Sequence, residues 1–232
     1  MWLFWLAAYL IVANDYVLPS IGDTFAALGK LLVSRGFWRA FGGTMLRTLA
    51  AFAVSLVCGT ALAVLARLFA GVRAFFAPIV SFLRTVPTMA IILILLLWTS
   101  RAVAPVIVSL LVLFPAVYSA ALAALDGVEE EFGELARAFR VGKTRQVCKL
   151  YLPLAAPPVL KQAGGILSMG LKITVSGEVL TSTDRSLGGL MQEAKLYVPA
   201  ELLALTLVTV LVGFLLEGIC LLAYKLIVRW KS

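Results

Sequence analysis

The side chains best suited to specific chemistry in this sequence lie in one charged segment, from Asp126 to Leu150, between long apolar stretches. The middle of the segment reads Glu-Leu-Ala-Arg-Ala-Phe-Arg-Val-Gly from Glu134 to Gly142, and a Leu-Tyr-Leu-Pro run follows that ends at Pro153. The chain is 62% hydrophobic and only 14% charged, whereas a soluble domain carries about 25% charged residues. A charged segment in such a chain is therefore suited to binding a partner outside the membrane.

This charged segment is predicted to form two short helices. Apolar residues recur at helical spacing in its first half and define one apolar face, namely Phe132, Leu135, Ala136 and Phe139. Glutamates at 129–131 suit the first turn of that helix. Gly142 is placed to end the first helix, and Thr144 is placed to cap the second. From the residues alone, the apolar face suits either a soluble protein partner or the lipid headgroup region.

A second set of chemically notable residues lies within apolar runs. Ionisable groups at membrane depth are costly and usually face a cavity or a partner, and a proline inside a helix breaks its hydrogen-bond ladder. The candidate residues for a solute pathway or gate are Arg84, Pro87, Lys172, Ser176 and Glu178. A lysine beside a solute path matches an anionic solute, whereas mutual pairing or snorkelling is the structural alternative for Lys172, Glu178 and Glu217.

Catalysis by this chain is not expected. It has no histidine, and its three cysteines are too scattered for a disulfide framework or a zinc site. The run from Arg137 to Thr144 ends in Gly-Lys-Thr like a phosphate-binding loop, but Arg137 replaces the first glycine and no strand precedes it. The sequence therefore predicts no enzyme activity, no metal site and no bound cofactor. The net charge of +8 comes from basic residues near segment ends, which suits membrane topology rather than nucleic acid.

The elements that carry these residues are predicted to be membrane-spanning helices. Lipid offers the backbone no hydrogen-bond partner, so long apolar runs must be helical. Residues 20–44 are interpreted as a mixed connector and 182–199 as a polar loop. The sequence thus predicts an all-α polytopic membrane protein, with 1–232 as a single transmembrane domain of about six helices. The predicted spans are 2–19, 45–70, 75–99, 102–125, 154–180 and 201–228.

The distribution of basic residues predicts the orientation. With the charged segment on the cytoplasmic side, more Lys and Arg residues fall on that side than on the other, among them Lys225, Arg229 and Lys231. Cytoplasmic loops carry such an excess. We therefore expect a multi-pass protein of a bacterial cytoplasmic (inner) membrane, with the 126–153 loop and both termini in the cytoplasm.

The stretch from Glu134 to Pro153 resembles the EAA signature of the permeases of binding-protein-dependent ABC importers. That signature reads Glu-x-Ala, three residues, a glycine, nine residues, an aliphatic residue, one residue and Leu-Pro. Arg140 occupies the glycine position here, and Gly142 follows two residues later. The variant resembles the branch that imports sulfonates, nitrate, taurine and thiamine precursors. Further stretches resemble the same branch, namely Arg84-Thr-Val-Pro87, Ser176-Gly-Glu178 and Leu187-Gly-Gly-Leu190.

The resemblance implies a type I (MetI-like) permease fold and transport by alternating access. The implied partners are a cytoplasmic ABC ATPase dimer that binds ATP and Mg²⁺, an extracytoplasmic solute-binding protein, the lipid bilayer, and a second permease copy or a related permease. The 126–153 loop would be the coupling helix, and the implied ATPase-contacting residues are Glu134, Leu135, Ala136, Arg137, Phe139, Arg140, Gly142 and Pro153. An ion-conducting channel and a membrane scaffold for soluble partners are the alternatives. A channel would require rings of charge or pore-lining carbonyls, and the sequence contains no such pattern.

Overall fold

The computed structural model describes residues 19–128, 138–139 and 141–227, and within these ranges the chain is helical without strands. A π-helical turn, Val147–Tyr151, joins α6 to α7. The predicted all-α class is confirmed. The helices in chain order are α1 (Ile21–Val33), α2 (Arg35–Leu68), α3 (Ala70–Thr85), α4 (Thr88–Trp98), α5 (Ala104–Asp126), α6 (Lys143–Gln146), α7 (Leu152–Thr181), α8 (Leu187–Tyr197) and α9 (Pro199–Ile227).

Three of the predicted spans coincide with helices that are long and apolar enough to cross a membrane, namely α2, α5 and α9. Helices α3 and α4 reach this length only together, and they are bent by 94° at their break, as in a broken span or a re-entrant loop. Helix α7 covers the predicted span 154–180 but is less apolar, because it carries two lysines and a glutamate. The predicted first span, 2–19, falls almost entirely outside the described residues.

The chain forms two compact units, each built from three separate stretches. The first unit comprises Met1–Thr48, Met89–Val108 and Leu171–Gly213. Within it, a Cβ atom on Gly177 would lie 3.2 Å from Cα and Cβ of Pro105. This glycine therefore allows α7 to approach the start of α5, in the way that small residues permit close helix contact in membrane proteins.

The second unit comprises Leu49–Thr88, Ser109–Gly170 and Phe214–Ser232. Its buried core is rich in alanine, and a Cβ atom on Gly59 would lie 2.9 Å from Cγ1 of Val117. Small side chains at these contacts bring α2 close to α5. Core members from four helices and the π-helical turn are Ala63, Ala66, Val80, Tyr118, Ala121, Leu125, Tyr151 and Ala155.

The interpretation of residues 20–44 as a connector is wrong, because α1 and the first part of α2 lie there. Ser20 caps α1: its hydroxyl oxygen accepts a hydrogen bond from the backbone N–H of Asp23 at 3.0 Å. The same hydroxyl donates to the Asp23 carboxylate. The Ser20 hydroxyl thereby satisfies one of the free backbone donors at the helix start, as is typical of an N-cap serine.

The interpretation of 182–199 as a loop is also wrong for most of its length. Helix α8 occupies Leu187–Tyr197, and the Ser186 hydroxyl accepts from the backbone N–H of Gly189 at 2.8 Å. The remaining connection is short and tight, because Ser182 and Arg185 have φ angles of 48° and 49°. Non-glycine residues rarely adopt this left-handed region.

The charged segment is described only in part. Most of its first predicted helix, including residues 129–137 and 140, lies outside the described residues. The second helix begins at Lys143, so Thr144 lies within it rather than at its cap. Gln146 and Leu152 both have right-handed helical backbone angles, so the π-helical turn continues directly into α7. Gly142 does not have a positive φ, so it does not end a helix in the left-handed conformation expected of such a glycine.

Candidate functional site

Lys172 and Ser176 lie one turn apart on α7, and both are exposed in this chain. Residues four apart are neighbours on one helix face. In the part of the chain that the structure describes, Lys172 forms no ion pair with a carboxylate. The two residues thus place an ammonium group and a hydroxyl group on an open face of the first unit, where both are available to a ligand or a partner.

Glu178, which was predicted for the same pathway, has a different environment. Its side chain is fully buried, and Arg47 on α2 donates from Nη1 to its Oε1 at 2.9 Å. The hydroxyl of Thr44 and the backbone N–H of Gly188 both donate to Oε2, at 2.8 Å and 3.3 Å. Burying a charge is costly unless it is paired and hydrogen-bonded. Glu178 therefore joins α7 to α2 and α8, and its carboxylate has no exposed face.

The same contacts cap the start of α8. The hydroxyl oxygen of Thr44 accepts from the backbone N–H of Leu187 at 2.9 Å. A Cβ atom on Gly188 would lie 2.4 Å from Cβ of Glu178 and 2.6 Å from the carbonyl oxygen of Val175. The first glycine of the Leu187-Gly-Gly-Leu190 motif is thus required by close packing against α7.

Sequence reasoning missed Thr44 and Arg47 as partners of Glu178. Arg47 lies at the start of an apolar run. An arginine and a glutamate that lie beside apolar runs are costly when they are unpaired. This cost could have suggested that Arg47 and Glu178 pair with each other. The separation of 131 residues between them gives no local signal.

The predicted break at Pro87 is confirmed. Helix α3 ends at Thr85, the backbone N–H of Val86 donates to the carbonyl of Phe82 at 3.2 Å, and α4 begins at Thr88. Arg84 and Pro87 are both exposed. They belong to the second unit, whereas Lys172, Ser176 and Glu178 belong to the first.

Three of the predicted ATPase-contacting residues lie within the described ranges. The side chain of Phe139 is 75% exposed. Gly142 is exposed, and Pro153 is the exposed second residue of α7. The remaining predicted contacts lie outside the described residues, namely Glu134, Leu135, Ala136, Arg137 and Arg140.

Comparisons with known proteins agree with this architecture. A family model described as "Binding-protein-dependent transport system inner membrane component" matches residues 55–230. The taurine transport system permease protein TauC of Escherichia coli (strain K12) is 24% identical over 220 residues, which are 92% of this chain and 80% of that protein.

Solved structures show the same fold. Two crystal forms of the methionine ABC transporter MetNI in inward-facing conformations, a SeMet soak and a native form, each match with a TM-score of 0.64 and 20% identity. The matches cover 87% and 85% of this chain and 96% and 95% of the matched chains.

Proposed function

This chain belongs to the family of binding-protein-dependent transport system inner membrane components, and we propose that it imports a small organic anion of the sulfonate class. It is the permease component of a type I ABC importer. The family accounts for the signature from Glu134 to Pro153, which neither an ion channel nor a general scaffold requires.

The open face of α7 with Lys172 and Ser176 carries the proposal of an anionic solute. A lysine in the middle of a spanning helix costs about 2.5–3.5 kcal/mol on insertion scales. This cost favours a position of Lys172 that faces a water-filled cavity or another protein segment rather than lipid. An ammonium group provides three donors and a hydroxyl provides one, which suits the oxygen atoms of a sulfonate. The similarity to a permease named for taurine transport supports the same solute class.

A transport assay tests the solute class. The permease, its ATPase and its binding protein are reconstituted in liposomes, and uptake of radiolabelled taurine is measured with ATP inside. We expect Lys172→Gln to reduce uptake by about tenfold or more, a loss equivalent to one good charged contact. The matched control is Lys30→Gln, which removes an exposed lysine on α1.

Two outcomes would reject the solute class. One is a wild-type complex that hydrolyses ATP but does not import taurine or other sulfonates. The other is a Lys172→Gln variant that transports taurine as fast as the control.

We further propose that ATP hydrolysis takes place in a separate cytoplasmic ATPase dimer, which binds ATP and Mg²⁺ and contacts the 126–153 loop. The exposed ring of Phe139 supports this, because a helix bound in a groove is anchored by apolar side chains at helical spacing. A second permease copy completes the membrane part of the complex. ATP-driven closure of the ATPases would move the two loops and switch the pathway between its inward- and outward-open states.

The solute-binding protein is proposed to dock on the extracytoplasmic side. The connection from Ser182 and the side of α8 next to it line an open recess of about 360 Å³, and Asp184, Arg185 and Glu193 contribute charges of both signs to it. Under the proposed orientation this recess faces outward, whereas the 126–153 loop and both termini face the cytoplasm.

A further inference from the structure

The 126–153 loop is held at both ends by a small ionic cluster in the second unit. Asp126 is the last residue of α5, and the guanidinium of Arg73 on α3 donates to both of its carboxylate oxygens, at 3.2 Å and 2.9 Å. Two parallel hydrogen bonds of this kind fix the orientation of both groups. The first residue of the loop is thereby connected to the start of α3.

Arg67 extends the cluster to the other end of the loop. It lies in the last turn of α2, with its Nε atom 3.8 Å from Oδ1 of Asp126. Its guanidinium carbon lies 5.5 Å from the ring centre of Tyr151, within the range of a cation–π interaction. Tyr151 is buried and ends the π-helical turn just before α7. The α2–α3 connection therefore contacts both ends of the loop through two arginines.

We propose that Asp126, with Arg67 and Arg73, is the joint through which movement of the ATPase-bound loop reaches the α2–α3 connection. This inference rests on the proposed docking of the ATPase at the 126–153 loop. An ion pair with two hydrogen bonds fixes the relative orientation of its groups better than apolar contacts do. Asp126 is thus a positioning residue that acts through its partners and does not touch the solute.

Hydrogen exchange of the purified complex tests the joint without knowledge of the solute. The chain and its co-purifying ATPase are compared without nucleotide and after trapping with MgATP and orthovanadate. In the wild type, we expect trapping to alter exchange both in the 126–153 loop and in residues 65–75. In Asp126→Asn, the ATPase stays bound and the loop still responds, but the response of residues 65–75 is lost.

Two further variants separate transmission from simple loss of stability. The conservative change Asp126→Glu keeps a carboxylate beside both Arg67 and Arg73 and is expected to retain most of the response. The control Arg35→Gln removes an exposed arginine at the start of α2 and is expected to behave as the wild type. In a transport assay, Asp126→Asn should lower the solute imported per ATP hydrolysed by about fivefold or more, as for a typical coupling energy.

The outcomes distinguish the two proposals. If the wild-type chain does not retain an ATPase, the proposed docking fails. If the ATPase is retained but Asp126→Asn transmits the response of residues 65–75 as the wild type does, the joint is rejected. Loss of the response in Asp126→Glu to the same extent as in Asp126→Asn would also reject it.

Discussion

At the scale of single residues, Glu178 has the largest expected effect on stability. Its buried carboxylate is bound by Arg47, Thr44 and the backbone of Gly188. Breaking a buried ion pair by removing one partner costs about 3–5 kcal/mol. Since Arg47 is 18% exposed and can be partly hydrated, we expect Glu178→Gln to cost about 2–3 kcal/mol.

Thermal unfolding in detergent measures this effect. A loss of that size lowers Tm by roughly 4–12 °C in a protein of this length. The control is Glu193→Gln, which changes an exposed glutamate on α8 and should leave Tm unchanged within error. A Glu178→Gln protein as stable as the control would show that the buried pair contributes little.

Phe139 is the residue through which docking of the ATPase is most directly tested. Its ring is 75% exposed in the isolated chain, and truncating an interface anchor commonly costs more than 1 kcal/mol. We expect Phe139→Ala to weaken ATPase binding by about fivefold or more, and Glu134→Lys to weaken it as well, with normal insertion into the membrane. Retention of the ATPase on the immobilised permease measures both effects.

The control for this experiment is Phe82→Ala, which removes a ring that is 66% exposed from α3. Solute binding by the binding protein should be the same for all variants. Normal ATPase retention and transport in both Phe139→Ala and Glu134→Lys would favour a loop that lies against lipid headgroups instead.

At the scale of helices, the prolines show where the sequence alone was sufficient to predict a helix break. Pro105 is the second residue of α5, where a missing N–H is tolerated. Pro78 and Pro115 lie inside helices that nevertheless continue. At Pro87 the helix ends. Sequence predicted the break but could not explain why Pro115 causes none, because neighbouring helices can compensate for lost backbone bonds in a membrane protein.

Pro87→Ala tests whether the break between α3 and α4 serves transport. Alanine restores the backbone N–H and favours a continuous helix. We expect near-normal expression and a clear loss of uptake, because a stiffer segment resists rearrangement. The matched control is Pro115→Ala in the unbroken α5, and uptake in liposomes is the measurement. Equal uptake by the two variants would mean that the break is incidental.

Helices α1 and α8 were missed because their sequences are mixed rather than strongly apolar. Both have N-terminal caps, Ser20 and Ser186, and a serine before a helix is a signal that the sequence alone provides. What could not be read locally is the support for α8, since Thr44 caps its start from 143 residues away. Tertiary contacts of this kind override the weak helix propensity of a Leu-Gly-Gly-Leu start.

At the scale of the whole molecule, apolar length and the family signature were enough to predict the helical permease fold. They did not predict the two compact units, because each unit combines three distant stretches of chain. Nor did they predict the ion pairs of Asp126 and Glu178, whose arginine partners lie 53 to 131 residues away. Local periodicity therefore predicted the helices, whereas their contacts depend on close packing at glycines such as Gly59 and Gly188.

The proposed roles of the 126–153 loop and of the recess beside α8 both depend on the orientation of the whole chain in the membrane. Basic residues near the carboxyl terminus, Lys225, Arg229 and Lys231, favour a cytoplasmic end. A test first replaces Cys58, Cys148 and Cys220 with alanine and then introduces a single cysteine. We expect Lys231→Cys to remain unlabelled by a membrane-impermeant maleimide in intact spheroplasts and to react after permeabilisation.

A cysteine on the opposite face completes the topology test. Asp184 is exposed in the connection before α8, so Asp184→Cys should react in intact spheroplasts. The two sites lie at opposite ends of α9 in chain order, and a single membrane crossing between them requires opposite accessibility. If Lys231→Cys reacts while Asp184→Cys does not, the orientation is inverted. The 126–153 loop would then face away from ATP, so both the docking of the ATPase and the joint at Asp126 would fail together.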